Sequence, residues 1–244
     1  MNTSQWRKLT FRQVREEDVP ALPAFCANRP CGTEIYTSLK LCGADTAVGS
    51  IWTGTDDAGR LRLVVYDNGS YATYLTERSC YVATLPKDTE GFDLFKKPPR
   101  KRQLCRMVYA GGPVPFPDGA ESLQGTAIMD MYKAVKETDT LNEKAERRYV
   151  YRTRAVNTGL SEVFALYEDG KLASTACLFA KNERYALIGD VFTVYRYRYQ
   201  GYATRLVNAC VAKAQEQRLT PILYCHKDLR KFYKRMGFVV SSRQ

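Results

Sequence analysis

The sequence lacks the features that mark metal sites, exported proteins and membrane spans. It has a single histidine, His226, and none of its eight cysteines belongs to a C-x-x-C pair, so the tight ligand spacing of a zinc site is missing. No apolar run approaches the roughly 18 residues of a transmembrane helix, and the N-terminal residues lack the apolar stretch of a signal peptide. We therefore expect no metal, no membrane partner and a cytoplasmic location, with the eight cysteines as free thiols.

Acidic residues are scarce in the second part of the chain. Residues 1–146 contain 19 Lys and Arg and 19 Asp and Glu, whereas residues 147–244 contain 18 and 7, so this second segment carries the whole net charge of +11. A one-sided basic segment indicates a polyanionic partner. Nucleic acid and a phosphate-bearing cofactor both satisfy that condition, and charge alone does not separate them.

A basic run with two prolines, Lys96–Arg102, divides the chain. Prolines within a run of like charges are typical of an exposed linker rather than a packed element. We therefore predict an N-terminal α/β domain at residues 1–95, a linker at 96–102 and a second domain at 103–244.

Hydrophobic periodicity predicts an α/β protein whose sheets are mostly antiparallel and flanked by helices. The predicted helices are 16–28, 34–41, 122–136, 202–217 and 227–236, and the predicted strands are 61–66, 71–75, 104–109, 162–167, 171–180, 185–195 and 222–225. Each half contains one predicted hairpin, closed by the turn Asp67–Ser70 in the first half and by Glu168–Gly170 in the second. The two hairpins are similar in sequence. Duplication and chance similarity both explain that likeness.

An anion site is predicted where the strand ending near Tyr195 passes through a loop into the helix that begins at Tyr202. The first N–H groups of a helix have no internal partner, and the helix dipole favours negative charge there. Gly201 has no Cβ to keep a phosphate away from the backbone. Arg198 and Arg205 add positive charge around the turn.

The pattern Arg198-x-x-Gly201-x-Ala203 resembles the coenzyme-A loop of the GNAT superfamily of acyl-CoA-dependent N-acyltransferases. The run Val191–Leu206 and the later Phe232-Tyr233-x-x-x-Gly237-Phe238 are similar to that family in order and spacing. The resemblance is firm over about 190–240 and extends back to about 103. For residues 1–95 it suggests a second, degenerate GNAT-like copy, which lacks the loop.

The resemblance implies a role for each residue of this segment. Tyr233 would be the general acid that protonates the leaving thiolate, and Asp190 is the first candidate for a general base, with Glu183, Glu162 or water as alternatives. His226 stands where the family often has an asparagine that contacts the cofactor. The implied contacts to acetyl-CoA are Val191, Phe192, Thr193, Arg198, Tyr199, Gln200, Gly201, Tyr202, Ala203, Thr204 and His226.

The function implied by the resemblance is transfer of an acetyl group from acetyl-CoA to a primary amine, on a small molecule or a peptide, by direct attack. One alternative is a non-catalytic acyl-CoA-binding regulatory protein, in which Tyr233 would be only a core aromatic. Another is a nucleic-acid-binding module. Tyrosines and arginines alternate over Tyr195–Tyr199, and the tyrosine rings would then stack on bases. We favour acetyl-CoA over nucleic acid as the partner. The sequence sets neither the acceptor nor the oligomeric state.

Overall fold

The computed structural model describes residues 8–44, 49–68, 71–77, 80–84, 104–136 and 143–241. The predicted linker 96–102 lies outside these ranges. The strands form two sheets, one of five strands within residues 10–84 and one of seven strands within residues 105–240. No helix in the described ranges is long and apolar enough to cross a membrane.

The N-terminal half pairs two short helices with an antiparallel meander. Its sheet has the order β1-β2-β3-β4-β5, and every neighbouring pair is antiparallel. Its strands are β1 (Thr10–Gln13), β2 (Ser50–Thr55), β3 (Leu61–Asp67), β4 (Tyr71–Thr76) and β5 (Cys80–Thr84), and its helices are α1 (Leu22–Cys26) and α2 (Thr33–Cys42), with 3₁₀ turns at Glu16–Ala21 and Pro30–Gly32. The predicted helices and the hairpin β3–β4 are present, whereas β1, β2 and β5 were not predicted.

The C-terminal half contains a mixed sheet of order β12-β6-β11-β10-β9-β8-β7, in which only β10 and β11 are parallel among the described pairs. The predicted fold class, a mostly antiparallel mixed sheet flanked by helices, is confirmed. The strands are β6 (Cys105–Tyr109), β7 (Glu121–Leu123), β8 (Glu162–Glu168), β9 (Lys171–Lys181), β10 (Tyr185–Thr193), β11 (Thr220–Cys225) and β12 (Phe238–Val240). The helices are α3 (Ala127–Lys136), α4 (Glu143–Asn157), α5 (Tyr202–Glu216) and α6 (Arg230–Arg235).

Helices cover both faces of the seven-stranded sheet. On one face, Leu206 and Val207 of α5 pack with Phe164 of β8 and Leu223 of β11 in the largest apolar cluster. On the other face, Ile128 and Met131 of α3 pack against alternate residues of the same strands, including Val163, Ala165 and Cys177. This alternation is the period of two that a strand imposes on its side chains.

Two expectations are wrong. The helix predicted from residue 122 begins at Ala127, because Glu121–Leu123 pairs with β8 as an edge strand and buries Leu123. The eight cysteines are not all free, since Cys31 and Cys80 form a disulfide. The cysteine spacing gave no sign of this bridge, because the fold brings the 3₁₀ turn at Pro30–Gly32 beside β5.

The N-terminal half is held to the turn between β9 and β10 by buried polar contacts. The Asn182 side chain donates to the backbone oxygens of Cys26 (3.0 Å) and Arg29 (2.8 Å). Thr37 on α2 donates to the Lys181 oxygen (3.0 Å) and accepts from the Lys181 amide (3.1 Å). Each bond satisfies a backbone group that would otherwise be buried without a partner, so these contacts fix α2 against β9.

Candidate active site

The two parallel strands β10 and β11 separate toward their C-terminal ends. Their paired residues run from Tyr185 with Thr220 to Ile188 with Leu223. Beyond that point β10 continues to Thr193 and β11 to Cys225 without pairing to each other. The separation exposes backbone groups of β10 that can bond a third extended chain.

A β-bulge in β10 lies beside this opening. The pairing with β9 shifts between Gly189 opposite Cys177 and Phe192 opposite Thr175, which leaves Asp190 and Val191 without facing partners. Asp190 has a φ of 48°, a left-handed conformation that non-glycine residues adopt at a cost of about 1 kcal/mol or more. Such bulges are frequent next to active sites, because they redirect side chains and backbone amides.

The loop that follows β10 brings backbone amides and arginines together. Gly201 is the N-cap of α5 with a φ of 85°, and a Cβ added there would meet nothing within 4 Å. The amides of Tyr202, Ala203 and Thr204 precede the first intrahelical bond, which runs from the Arg205 amide to the Gly201 oxygen, so they point outward from the helix end. The sequence-predicted anion site therefore has the expected backbone geometry.

Side chains of the loop hold it in place. Arg198 donates to the Thr193 oxygen (3.1 Å), and Gln200 donates to the Arg196 oxygen (3.4 Å). Tyr202 donates to a carboxylate oxygen of Glu168 at 2.5 Å. Arg205 also donates to the Asp118 oxygen (2.6 Å). Tyr199, in contrast, is fully exposed and has a φ of 63°.

The end of β10 is tied to β9 on its other side. Ser174 donates to the Phe192 oxygen (2.7 Å), and its hydroxyl lies 2.8 Å from that of Thr193. Val191, Phe192 and Thr193 are each half-buried. The bonds from β9 hold this strand end in place while its opposite edge stays open toward β11.

Tyr233 of α6 lies in the core below the opening. It is 6% exposed and packs against Phe232 and Phe238 with its ring edge-to-face. Burial, with smaller contributions from Cys225 and Cys210, raises its pKa to about 12. No described residue hydrogen-bonds its hydroxyl, so the proton is available to another group.

His226 follows β11 and is exposed at the N-cap of the 3₁₀ turn Lys227–Leu229. Its side chain makes no capping bond to the turn, although its backbone oxygen accepts from the Leu229 amide at 3.0 Å. The His226 side chain therefore does not cap the turn.

An arginine that the sequence did not indicate stands behind Asp190. Arg152 of α4 is 1% exposed, and it donates to Asp190 Oδ2 (3.2 Å), the Phe179 oxygen (2.6 Å) and Ser161 Oγ (2.8 Å). Its guanidinium also lies 3.9 Å from the centre of the Phe179 ring. A buried charge needs this degree of pairing to be tolerated.

The other candidate bases lie away from the bulge. Glu162 Oε1 accepts from Lys181 Nζ and from Gln217 Nε2, each at 2.5 Å. Glu183 is exposed in the turn between β9 and β10. Asp190 is therefore the sequence-predicted acid that lies next to the opening.

A cavity of about 300 Å³ reaches Asp190 from the sheet face opposite α5. Its wall includes Leu187–Asp190 of β10 and Tyr224 of β11. The remaining lining comes from α3, α4, β9 and the N-terminal half, namely Tyr132, Arg148, Tyr151, Arg152, Phe179, Leu104, Glu34, Tyr66 and Asn68. The opening between β10 and β11 thus has the anion loop on one side and this cavity on the other.

Several solved structures that are similar to this chain are GNAT proteins. Over 95% of both chains, this protein is similar to a tandem GNAT protein from the clavulanic acid biosynthesis pathway, with 13% identity and a TM-score of 0.53. It is similar to an acetyltransferase of the GNAT family from Colwellia psychrerythraea over 95% of this chain and 96% of that one, with 11% identity and a TM-score of 0.56. Both likenesses concern the fold.

A third match covers only part of each protein. A GNAT-family protein from Novosphingobium aromaticivorans is 22% identical over 57% of this chain and 59% of its own, with a TM-score of 0.46. No curated protein matches the chain. Residues 128–238 match the model of the acetyltransferase (GNAT) family, and this segment contains the bulge, the Gly201 loop and Tyr233.

Proposed function

We propose that this protein transfers an acetyl group from acetyl-CoA to a primary amine at the opening between β10 and β11. The observation that carries the proposal is the separation of these strands directly before the Gly201 loop. An extended cofactor arm can enter the opening while its phosphates meet the start of α5. The match of residues 128–238 to the acetyltransferase (GNAT) family supports acetyl transfer, and the amine acceptor is our inference.

The pyrophosphate of acetyl-CoA would be bound by the amides of Tyr202, Ala203 and Thr204. Arg196 and Arg198, both exposed, add positive charge at the loop. The pantetheine arm would lie along Val191–Thr193, whose backbone faces the opening. His226, exposed after β11, is close enough in sequence to the other wall to contact the same arm.

The reaction needs no protein nucleophile. The lone pair of the amine nitrogen attacks the thioester carbonyl carbon, a C–N bond forms, and the C–S bond breaks as the oxyanion collapses. A backbone amide at the bulge, near Phe192, would stabilise that oxyanion. Tyr233 would give its proton to the departing sulfur, and the nitrogen would lose one proton, so that free CoA and an amide result.

Asp190 is the group we assign to the amine. Its Oδ2 is bonded to Arg152, while Oδ1 has no hydrogen-bond partner among the described residues. Oδ1 can accept a hydrogen bond from the amine and take the proton that the nitrogen loses. Arg152 would hold this carboxylate in place during both steps.

The test is a calorimetric titration with acetyl-CoA followed by an assay of thiol release with a panel of small amines and short peptides. We expect one binding site per chain and acceptor-dependent thiol release. Binding without release for any acceptor would favour the non-catalytic alternative. Absence of binding, together with a shift of generic RNA or DNA in a gel at physiological salt, would favour the nucleic-acid alternative instead.

A further inference from the structure

The cavity beside Asp190 is built by both halves of the chain. Asp190 forms part of the wall on the β10 side, and Glu34 of α2 and Tyr66 of β3 form part of the wall on the N-terminal side. Its volume of about 300 Å³ is at the lower end of the range for small-molecule sites, roughly 300–1,000 Å³. A compact acceptor fits this space better than a folded protein surface does.

Two polar atoms in the cavity wall are buried without a hydrogen-bond partner among the described residues. They are the hydroxyl of Tyr224 and Nε of Arg152. An unsatisfied buried polar group costs roughly 1–3 kcal/mol, and native proteins contain few of them. The Tyr224 hydroxyl can accept a hydrogen bond from an N–H group of a ligand, whereas Nε of Arg152 can only donate and would be bonded by water.

Acidic groups come from both halves of the wall. Arg152 is paired with Asp190, and the other arginine, Arg148, is partly exposed and has contacts of its own. Glu34 is only 4% exposed. It has another partner, but a carboxylate offers about four acceptor positions, so a further donor can bond to it.

Three tyrosines line the same cavity as Glu34, namely Tyr66, Tyr151 and Tyr224. Burial raises the pKa of Tyr66, Tyr151 and Tyr224, and the negative charge of Glu34 raises the pKa of each further. All three phenols are therefore close enough to sense that charge. A carboxylate beside phenol groups suits a cationic nitrogen, because the carboxylate supplies charge and the phenol oxygens can accept hydrogen bonds.

We propose that the cavity is the acceptor site and that the acceptor is a small amine carrying a second cationic nitrogen. The reacting amine would lie at Asp190 beside the bulge, and the second nitrogen would be bound by Glu34, with the Tyr224 hydroxyl as an additional partner. The position of the reacting amine rests on the proposed acetyl transfer. The binding of the second nitrogen depends only on the cavity.

The first test compares diamines with chains of three to six methylene groups and the n-alkylamines of the same lengths. We expect kcat/KM to be higher for the diamines and to have an optimum in chain length, because both nitrogens must be reached at once. Glu34→Gln should lower kcat/KM for the best diamine by about tenfold or more, the value of a hydrogen bond to a charged group. Its effect on kcat/KM for the n-alkylamines should be much smaller.

Glu17→Gln is the matched control, since it removes the same charge from an exposed position of the same half. It should leave both amine series unchanged. Equal kcat/KM for diamines and n-alkylamines in the wild-type protein would overturn the proposal. An equal loss for both series in a folded Glu34→Gln protein would also overturn it.

Binding without turnover separates this proposal from acetyl transfer. Calorimetry with the best diamine, in the absence of acetyl-CoA, should give one site that Tyr224→Phe weakens by about threefold or more, the lower end for a neutral hydrogen bond. Tyr224→Phe should not lower the melting temperature, because it deletes an unsatisfied hydroxyl, so it serves where Glu34→Gln fails to fold. Diamine binding that depends on Tyr224 without acetylation would support the cavity assignment and reject the transferase proposal. Acetylation of n-alkylamines without diamine binding would do the reverse.

Discussion

The two halves of this chain contain similar elements, and they differ at the start of α5, where we predict the anion site. Both place helices before an antiparallel hairpin, β3–β4 in the first half and β8–β9 in the second. In the described ranges of the first half, every paired strand is antiparallel to its neighbour. In the second half, β10 continues into a helix and runs parallel to β11. A parallel pair needs a crossover, and the start of that crossover helix supplies the free amides.

Charge follows the same division. The excess of basic residues is confined to residues 147–244, which contain the Gly201 loop and its arginines. The first half has the same general architecture but no such excess. Its proposed contribution is instead a wall of the acceptor cavity, through Glu34 and Tyr66.

Replacing one glycine in each half gives the largest expected contrast. Gly201 and Gly59 both have positive φ, 85° and 73°, and an added Cβ meets nothing within 4 Å at either position. The backbone strain of a substitution is therefore similar. We expect Gly201→Glu to abolish acetyl-CoA binding, through a carboxylate placed at the start of α5, and Gly59→Glu to leave binding unchanged, as measured by calorimetry. Equal affinities of the two variants for acetyl-CoA would show that the Gly201 loop does not bind the cofactor.

The buried arginine sharpens the comparison, since no arginine in the described ranges of the first half is buried. Arg152→Met leaves the Phe179 oxygen and Asp190 without their donor, and the Asp190 side chain is 36% exposed, so we expect the free energy of unfolding to fall by about 1–3 kcal/mol. Urea denaturation measures this loss. Arg154→Met, on the exposed side of the same helix, should change it by less than about 0.5 kcal/mol. Similar values for both variants would contradict the structural role of Arg152.

Tyr233→Phe tests the chemistry that only the second half is proposed to perform. Loss of the hydroxyl should lower kcat by about 100-fold, the lower end for general acid catalysis, because a thiolate also leaves unprotonated. Affinity for acetyl-CoA and the melting temperature should stay nearly constant, since the ring keeps its packing. Tyr185→Phe, at the opposite end of β10, is the control for a lost hydroxyl. Full kcat in the Tyr233→Phe protein, with chemistry rate-limiting, would make Tyr233 a core aromatic.

The contact between the halves can be weakened at Asn182. Its amide donates to two backbone oxygens of the first half, and its own oxygen accepts from the amides of Arg184 (3.1 Å) and Tyr185 (2.8 Å). Asn182→Ala should destabilise the protein by about 1–3 kcal/mol and should raise KM for the acceptor more than the Kd for acetyl-CoA. A change in the cofactor Kd alone would indicate that the first half acts on the other site.

The smallest expected effect is that of pH on the acid. Because burial raises the pKa of Tyr233 to about 12, its proton is retained through pH 10, and kcat should show no alkaline decline from this group up to that pH. The folded pKa is above the unfolded value of 10, so the associated stability is present below pH 10 and is lost as the pH rises toward 12. A decline of kcat near pH 8, absent from Tyr233→Phe, would contradict this ionisation state.

The parts of the site that could be predicted are those with a local signal. Gly201 and the start of α5 follow from helix-end chemistry, and β11 follows from the apolar run at 222–225. The cofactor roles of Phe192, Thr193 and the other loop residues remain predictions. In the structure, Phe192 and Thr193 end β10, and the loop to α5 follows directly.

The cavity could not be predicted, because its wall comes from segments far apart in sequence. Helix α4 was missed altogether, although it supplies Arg152 and Tyr151. Its buried residues include Ala145, Tyr151, Arg152 and Ala155. They recur at helical spacing, but two of them are a tyrosine and an arginine, so a search for apolar periodicity does not find the helix. Recognising it would require knowing that Asp190, 38 positions later, compensates the arginine.

The docking of α2 against β9 affects how any acceptor can be selected. Thr37 and Asn182 bind backbone groups rather than flexible side chains, so this wall of the cavity is ordered when the chain folds. The entropy of ordering it is then lost in folding and not at binding, which favours affinity. The same rigidity makes the cavity more selective. Because the wall cannot move outward, an acceptor with one additional methylene group would bind less tightly by about 1–3 kcal/mol.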